Sequence, residues 1–148
     1  EYPEYAPLYD EVAPRIDAAI KYLKDNGAKQ IVLIGHSQGA AMTAYYLSTS
    51  KQSVNGFVAI GMASFADDPR MNSIKALENI KLPVLDIYGD DDLEGIMKSV
   101  GARAEAAKKA GNKNYTQLEV AGSNHLFDDK EDELVAAVAV WLEKSPAK

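Results

Sequence analysis

The chain has 148 residues, enough for one domain with a sizeable hydrophobic core. Its formal net charge of −6 at pH 7 argues against nucleic acid or an anionic membrane surface as a partner. The sequence contains no cysteine, which excludes disulfides, thiolate metal sites and a cysteine nucleophile, and no stretch of it is apolar and long enough to span a bilayer.

The first predicted element is a helix over residues 10–26, because apolar side chains recur there at helical spacing. Pro14 fits a helix only in the first turn, so the helix is expected to begin near Glu11 or later. Gly27 is expected to end it. The apolar positions are Val12, Ile16, Ala19, Ile20 and Leu23.

A strand, a tight turn and a second helix follow without a spacer. Residues 31–34 read Ile-Val-Leu-Ile, which is typical of a strand buried on both faces and paired at both edges. Residues 35–39 read Gly-His-Ser-Gln-Gly, the pattern G-x-S-x-G, and a helix rich in small residues runs on to about Ser50. Gly35 and Gly39 are expected to remove Cβ atoms that would hold the strand and the helix apart.

Ser37 lies at the centre of that turn, where the pattern predicts an exposed nucleophile at the carboxyl edge of a sheet. The start of the following helix favours negative charge, and the backbone N–H of Gln38 would be one donor to an oxyanion. The alternative interpretation is a glycine-rich turn with a serine that caps the helix. The strand-turn-helix context favours the nucleophile.

Strands and helices alternate over the rest of the chain. Gly89 is expected to end the third strand, and Gly111 the fourth helix. This alternation predicts an α/β fold, a parallel sheet of four strands flanked by helices, in a single domain. The remaining predicted strands cover residues 54–62, 83–88 and 115–120, and the remaining helices cover residues 73–79, 94–110 and 130–144. The last helix is expected to bury Leu134, Val138, Trp141 and Leu142.

Only one histidine of the chain suits the role of a base for Ser37. His36 is adjacent to Ser37, so its side chain is expected to point elsewhere. His125 follows the fourth strand and therefore leaves the sheet at the same edge as Ser37. A lone loop histidine is more often a solvated residue, but this placement favours His125 as the base.

An acid to orient that base should follow the third strand, where Asp90, Asp91 and Asp92 are consecutive. It would accept a hydrogen bond from the imidazole and fix its tautomer. The alternatives are a solvated turn and, with less support, a calcium loop, whose ligands stand at alternate positions. Asp86 lies inside the strand and is expected to be a structural hydrogen-bonding residue.

Together these segments resemble the C-terminal half of an α/β-hydrolase. Ser37, an aspartate and His125 follow that family's chain order of nucleophile, acid and base. In the family the acid stands three residues beyond a glycine, which selects Asp92 after Gly89. Gly122-x-x-His125 resembles the family's histidine loop.

Within the superfamily the sequence looks most like an uncharacterised bacterial group related to dienelactone hydrolases. The resemblance implies a small ester or related acyl compound as the substrate and implies neither a metal nor an organic cofactor. Members of that group are commonly exported, which is compatible with a periplasmic or secreted location as well as with a cytoplasmic one.

The family fold has more strands than the four predicted here, and its second oxyanion donor comes from a loop after an early strand. A single helix precedes the strand at residues 31–34 in this sequence. Left alone, that strand would form an exposed apolar edge, which natural proteins avoid. We therefore expect the domain to be incomplete on its N-terminal side, with the other strands on further residues or on another chain.

The sequence thus predicts a serine hydrolase in which Ser37 attacks an acyl carbon, His125 takes the proton of Ser37, and Asp92 orients His125. A non-catalytic α/β-hydrolase-like scaffold used for binding is the alternative, favoured by the single oxyanion donor and the short loops. A doubly wound nucleotide-binding domain has the least support, because the turn lacks the glycine spacing that lets a pyrophosphate approach the backbone.

Overall fold

Four strands form one parallel sheet in the order in which they occur in the chain. The computed structural model describes residues 2–51 and 53–144. This sheet confirms the predicted α/β fold, and it brings the carboxyl ends of all four strands to one edge. The strands are β1 (Val32–His36), β2 (Gly56–Ile60), β3 (Val84–Asp91) and β4 (Tyr115–Asn124).

Helices cover both faces of the sheet. One face packs against α2, α3 and α4 through a core that contains Phe57, Ala59 and Val84. The opposite face presents Val58 and Leu85 to α5, which is the only helix packed against that face in the described residues. A 3-10 helix, Tyr2–Tyr5, precedes α1 (Leu8–Asp25), α2 (Gln38–Thr49), α3 (Ser73–Leu77), α4 (Glu94–Lys109) and α5 (Glu131–Lys144).

Helix α1 begins earlier than predicted, at Leu8, so that Pro14 lies beyond its first turn. The prediction was wrong because tertiary packing fixes the first turn. Tyr9 is 1% exposed and packs with Ala41 and Met71. This anchor holds the start of the helix in place despite the backbone hydrogen bond that Pro14 cannot donate.

Strand β1 is less covered than its sequence predicted. Ile31 is buried just before the strand, but Ile34 is 55% exposed. Among the described residues, β1 pairs with β2 alone, and its outer edge has no partner strand. The prediction that the whole Ile-Val-Leu-Ile run is buried on both faces was therefore wrong for the described residues, whereas its pairing at a second edge stays a prediction.

Helix α5 is attached to the sheet by half-buried side chains. Leu134, Val138 and Trp141 pack against the core as expected but are only partly buried. Leu142 is 36% exposed, so its predicted burial was wrong, and no residue of α5 is fully buried.

A fully buried ion pair lies between β3 and α4. Arg103 Nε donates to Asp86 Oδ2 at 2.7 Å, and both side chains have no exposed surface. Tyr115 and Gln117 donate to the same carboxylate oxygen at 2.5 Å and 3.1 Å. Burial and the nearby Asp86 charge raise the pKa of Tyr115, so the phenol remains a donor. Asp86 is thus the structural hydrogen-bonding residue that its position in a strand predicted.

The other side of the Arg103 guanidinium joins two main-chain segments near the carboxyl edge of the sheet. Nη1 donates to the carbonyl oxygens of Met62, just after β2, at 3.3 Å and of Ile96, in the first turn of α4, at 3.1 Å. A buried charge with these partners is costly to expose and costly to leave unpaired. Arg103 therefore fixes α4 relative to β2 and β3.

We expect Arg103→Met to lower the free energy of unfolding by about 3–5 kcal/mol, because it leaves the Asp86 carboxylate buried without a countercharge. The measurement is urea denaturation. Adding Asp86→Leu to this variant should recover much of the loss, since the uncompensated charge is then gone.

The matched control is Arg15→Met, because Arg15 forms an exposed ion pair with Glu11. It should leave the unfolding midpoint unchanged within error. Equal effects at the two arginines would contradict the role assigned to the buried pair.

Candidate active site

The turn between β1 and α2 holds Ser37 in a conformation that non-glycine residues rarely adopt, with φ 54° and ψ −121°. The turn is this sharp because the backbones touch at Gly35. A Cβ atom there would lie 2.7 Å from the carbonyl oxygen of Gly39. A Cβ atom on Gly39 itself would meet nothing within 4 Å, so the predicted steric role applies to Gly35 and was wrong for Gly39.

Ser37, His125 and Asp92 form one chain of hydrogen bonds at the carboxyl edge of the sheet. His125 Nε2 lies 2.9 Å from Ser37 Oγ, and His125 Nδ1 lies 2.7 Å from Asp92 Oδ1. A carboxylate oxygen accepts, so Nδ1 carries the hydrogen and Nε2 is free to accept from the serine hydroxyl. The Asp92 side chain is fully buried, and that of His125 is 15% exposed. The arrangement can move a proton from the serine to the imidazole.

Gln38 is the first residue of α2, directly after Ser37. Its backbone N–H belongs to the first turn of a helix, where N–H groups lack intrahelical partners. Its side chain donates to the hydroxyl oxygen of Tyr9 at 2.9 Å. Burial, together with the charge of Asp68, raises the pKa of Tyr9 to about 12, so this phenol stays neutral. The turn is therefore attached to α1 as well as to β1.

Asp90 holds the segment that leads to His125. Its Oδ1 accepts from the backbone N–H groups of Gly122 at 2.7 Å and Ser123 at 3.2 Å. This contact lies where β3 and β4 shift register and where both strands run beyond their predicted ends at Tyr88 and Val120. The interpretation of the aspartate run as a merely solvated turn missed this role, which no local sequence pattern indicates.

Two further glycines bring main chain close to these side chains. A Cβ atom on Gly89 would lie 2.0 Å from the carbonyl oxygen of Ser123, so only glycine lets the β4 backbone come this close to β3. A Cβ atom on Gly61, just after β2, would lie 3.0 Å from His125 Nδ1 and 3.2 Å from Asp92 Oδ2. The histidine and the aspartate are therefore packed directly against backbone.

His36 does not contact Ser37 through its ring, in line with the expectation that it points elsewhere, but it does contact His125. His36 Nε2 lies 2.9 Å from the carbonyl oxygen of His125, and the two ring centroids are 4.8 Å apart. Sequence reasoning missed this contact, because it depends on the path of a loop that is distant in the chain.

The described residues contain no group of three or more histidine or acidic side chains placed to hold a metal ion. Within the same residues, no helix has the length and apolar character needed to cross a membrane.

The family model described as "Protein of unknown function (DUF3530)" matches residues 5–144 of this chain. No curated protein matches the sequence.

Solved structures similar to this chain have the α/β-hydrolase fold. A predicted CIB-like hydrolase from Thermoplasma acidophilum is 24% identical with a TM-score of 0.66, and the alignment covers 90% of this chain but 59% of that protein. Est1E from Butyrivibrio proteoclasticus is 15% identical with a TM-score of 0.76, covering 95% of this chain and 72% of Est1E.

The esterase Pf2001 from Pyrococcus furiosus is 22% identical with a TM-score of 0.76, covering 92% of this chain and 62% of the esterase. At these identities the likeness establishes the fold alone, so the predicted α/β-hydrolase fold is confirmed. The closer relation to dienelactone hydrolases stays a prediction.

We expect Gly89→Ala to lower the free energy of unfolding by about 1–3 kcal/mol, because the new methyl group must push the Ser123 backbone away. Gly101→Ala is the matched control: Gly101 lies within α4, and a Cβ atom there meets nothing within 4 Å. It should raise the free energy of unfolding by about 0.4–1 kcal/mol. Urea denaturation measures both, and similar values would contradict the close approach at Gly89.

Proposed function

We propose that this chain, which belongs to the family described as protein of unknown function (DUF3530), is a serine hydrolase that cleaves small esters or related acyl compounds. The observation that carries the proposal is the position of Ser37 Oγ, on a strained turn and 2.9 Å from His125 Nε2. Strain of this kind is concentrated at functional sites. A serine that merely caps a helix needs neither the strain nor an imidazole partner.

In the proposed first step, Ser37 Oγ attacks the acyl carbon while its proton passes to His125 Nε2. The Asp92 carboxylate holds Nδ1–H and stabilises the imidazolium that forms. The negative charge develops on the substrate's carbonyl oxygen, beside the start of α2, where the backbone N–H of Gln38 is one donor. Collapse of this intermediate transfers the His125 proton to the leaving alcohol and leaves an acyl group on Ser37.

In the second step, water gives a proton to His125 and attacks the acyl-serine. The carboxylic acid leaves, and the proton returns to Ser37 Oγ. No group beyond the chain and water is needed to balance the two steps. Similar solved structures include proteins named as an esterase or an esterase domain and a monoacylglycerol lipase from Paleococcus ferrophilus, which supports an ester as the substrate class.

A second oxyanion donor completes the proposed mechanism, and we place it on a segment that pairs with the outer edge of β1. Ile34 is 55% exposed, and β1 has one partner strand among the described residues. A strand along this edge would satisfy its free backbone groups and bring its own loop next to Ser37. That segment lies either on further residues of the same protein or on another chain.

We expect a fluorophosphonate probe to label the naturally expressed protein at Ser37 and to leave the Ser37→Ala variant unlabelled. Mass spectrometry of the labelled peptide identifies the site. A wild-type protein that folds but resists the probe would contradict the proposal and would favour the non-catalytic binding scaffold.

Asp92→Asn should lower the rate of ester hydrolysis by about 10⁴-fold, because an amide cannot hold the required tautomer of His125. The matched control is Asp91→Asn in the exposed part of the same aspartate run. It should have a far smaller effect, as should Asp90→Asn, whose amide oxygen can still accept from the loop. Equal losses of kcat at the three positions would show that the acid is misassigned.

Residues 1–148 produced alone should self-associate through the β1 edge and lack esterase activity, since both the edge strand and the second donor are then absent. Sedimentation and an ester assay, compared with the naturally expressed protein, test this. A monodisperse and active monomer of these residues would refute the segment that we place on β1.

A further inference from the structure

We infer that His36 is a positioning residue, which holds the main chain of His125 from the strand that carries the serine. The inference rests on the proposed function of Ser37 and His125. His36 Nε2 lies 2.9 Å from the carbonyl oxygen of His125, and that oxygen can only accept. The His36 Nε2 atom therefore carries a hydrogen and donates it.

The two imidazole rings also pack on each other. Their centroids are 4.8 Å apart, and their planes are inclined by 34°, a tilted arrangement rather than a perpendicular one. His36 thus restrains both the position of the His125 backbone and the orientation of the His125 ring. Asp92 Oδ1 lies 2.7 Å from His125 Nδ1, so His125 is held at Nδ1, at one face of its ring and at its backbone carbonyl.

The position of His36 in the chain gives this contact its significance. His36 and Ser37 are consecutive residues at the end of β1 and in the turn that follows. The same short segment therefore makes two contacts with His125, one to its backbone and one to its side chain. A shift of the His125 loop relative to β1 would strain the His36 bond as well as the Ser37–His125 contact.

Other hydrogen bonds hold the same loop internally. The Asn124 side chain accepts from the backbone N–H groups of Leu126 at 3.0 Å and Asp128 at 3.2 Å. These bonds fix the shape of the turn, but they lie within the loop and do not join it to β1. His36 is exposed, so its replacement leaves no buried polar group unpaired and should not unfold the protein.

Three variants of His36 separate the effect of its hydrogen bond to the His125 carbonyl from the effect of its ring contact. Gln places an amide nitrogen about where Nε2 of histidine lies and can donate to the carbonyl, whereas Asn is too short to reach and Leu has no donor. We expect His36→Leu and His36→Asn to lower the maximal rate of fluorophosphonate labelling at Ser37 about tenfold or more, since small misplacements of a base are costly. His36→Gln should retain that rate within about threefold.

The probe concentration that gives half the maximal rate should be unchanged in all three variants, because positioning the base affects the chemical step and leaves probe binding intact. Asn26→Leu is the control. It removes another exposed hydrogen bond from a side chain to a carbonyl, at the end of α1 remote from the serine, and should label like the wild type.

A second readout is independent of activity. In proton NMR spectra, the hydrogen on His125 Nδ1 should exchange faster with water in His36→Leu than in the wild type, and His36→Gln should restore its protection. Equal labelling rates and equal exchange in His36→Leu and the wild type would overturn the inference and leave the proposed function standing. A wild-type protein that resists the probe, but in which His36→Leu accelerates this exchange, would refute the hydrolase and retain the positioning contact.

Discussion

The contact between backbones at Gly35 is the constraint on which the rest of the site depends. The chain must leave a strand, reverse and enter a helix so tightly that a Cβ atom at residue 35 would overlap the Gly39 carbonyl. In this turn Ser37 adopts a positive-φ conformation, with its own N–H donating to the Ile60 carbonyl at 2.8 Å. The hydroxyl is then carried above the sheet edge, at the start of α2, instead of lying against the helix as an ordinary cap would.

The parallel order of the strands converts this local turn into a site. Because each strand pairs with the next one in the chain, residues that follow β1, β3 and β4 meet at one edge although they are far apart in sequence. Two glycines allow close approaches: Gly61 lies against the histidine-aspartate pair, and Gly89 lets the Ser123 backbone of β4 come close to β3. The buried Arg103 stabilises the same edge of the sheet by joining the segment after β2 to the start of α4.

The strands, the helices and the identity of Ser37, Asp92 and His125 as neighbours could be anticipated because each rests on a local pattern or on chain order. The predictions that were wrong concerned features that depend on contacts elsewhere in the fold. The early start of α1 follows from the packing of Tyr9, which hydrophobic spacing around Pro14 does not reveal. The exposure of Ile34 reflects which strands lie beside it, since an apolar run has the same composition whether or not its edge is covered.

The weak attachment of α5 has a consequence for how the protein opens. None of its side chains is fully buried, and the apolar cluster that it shares with the sheet includes Phe127, which lies two residues beyond His125 and is 1% exposed. Detachment of α5 uncovers Phe127 and frees the turn that carries the imidazole, while the paired strands remain intact. Hydrogen exchange in this protein should thus reveal a sub-global unfolding unit made of the turn that carries His125 and α5 together. On heating, the contacts among Ser37, His125 and Asp92 should be lost at a lower temperature than the strand pairing of the sheet.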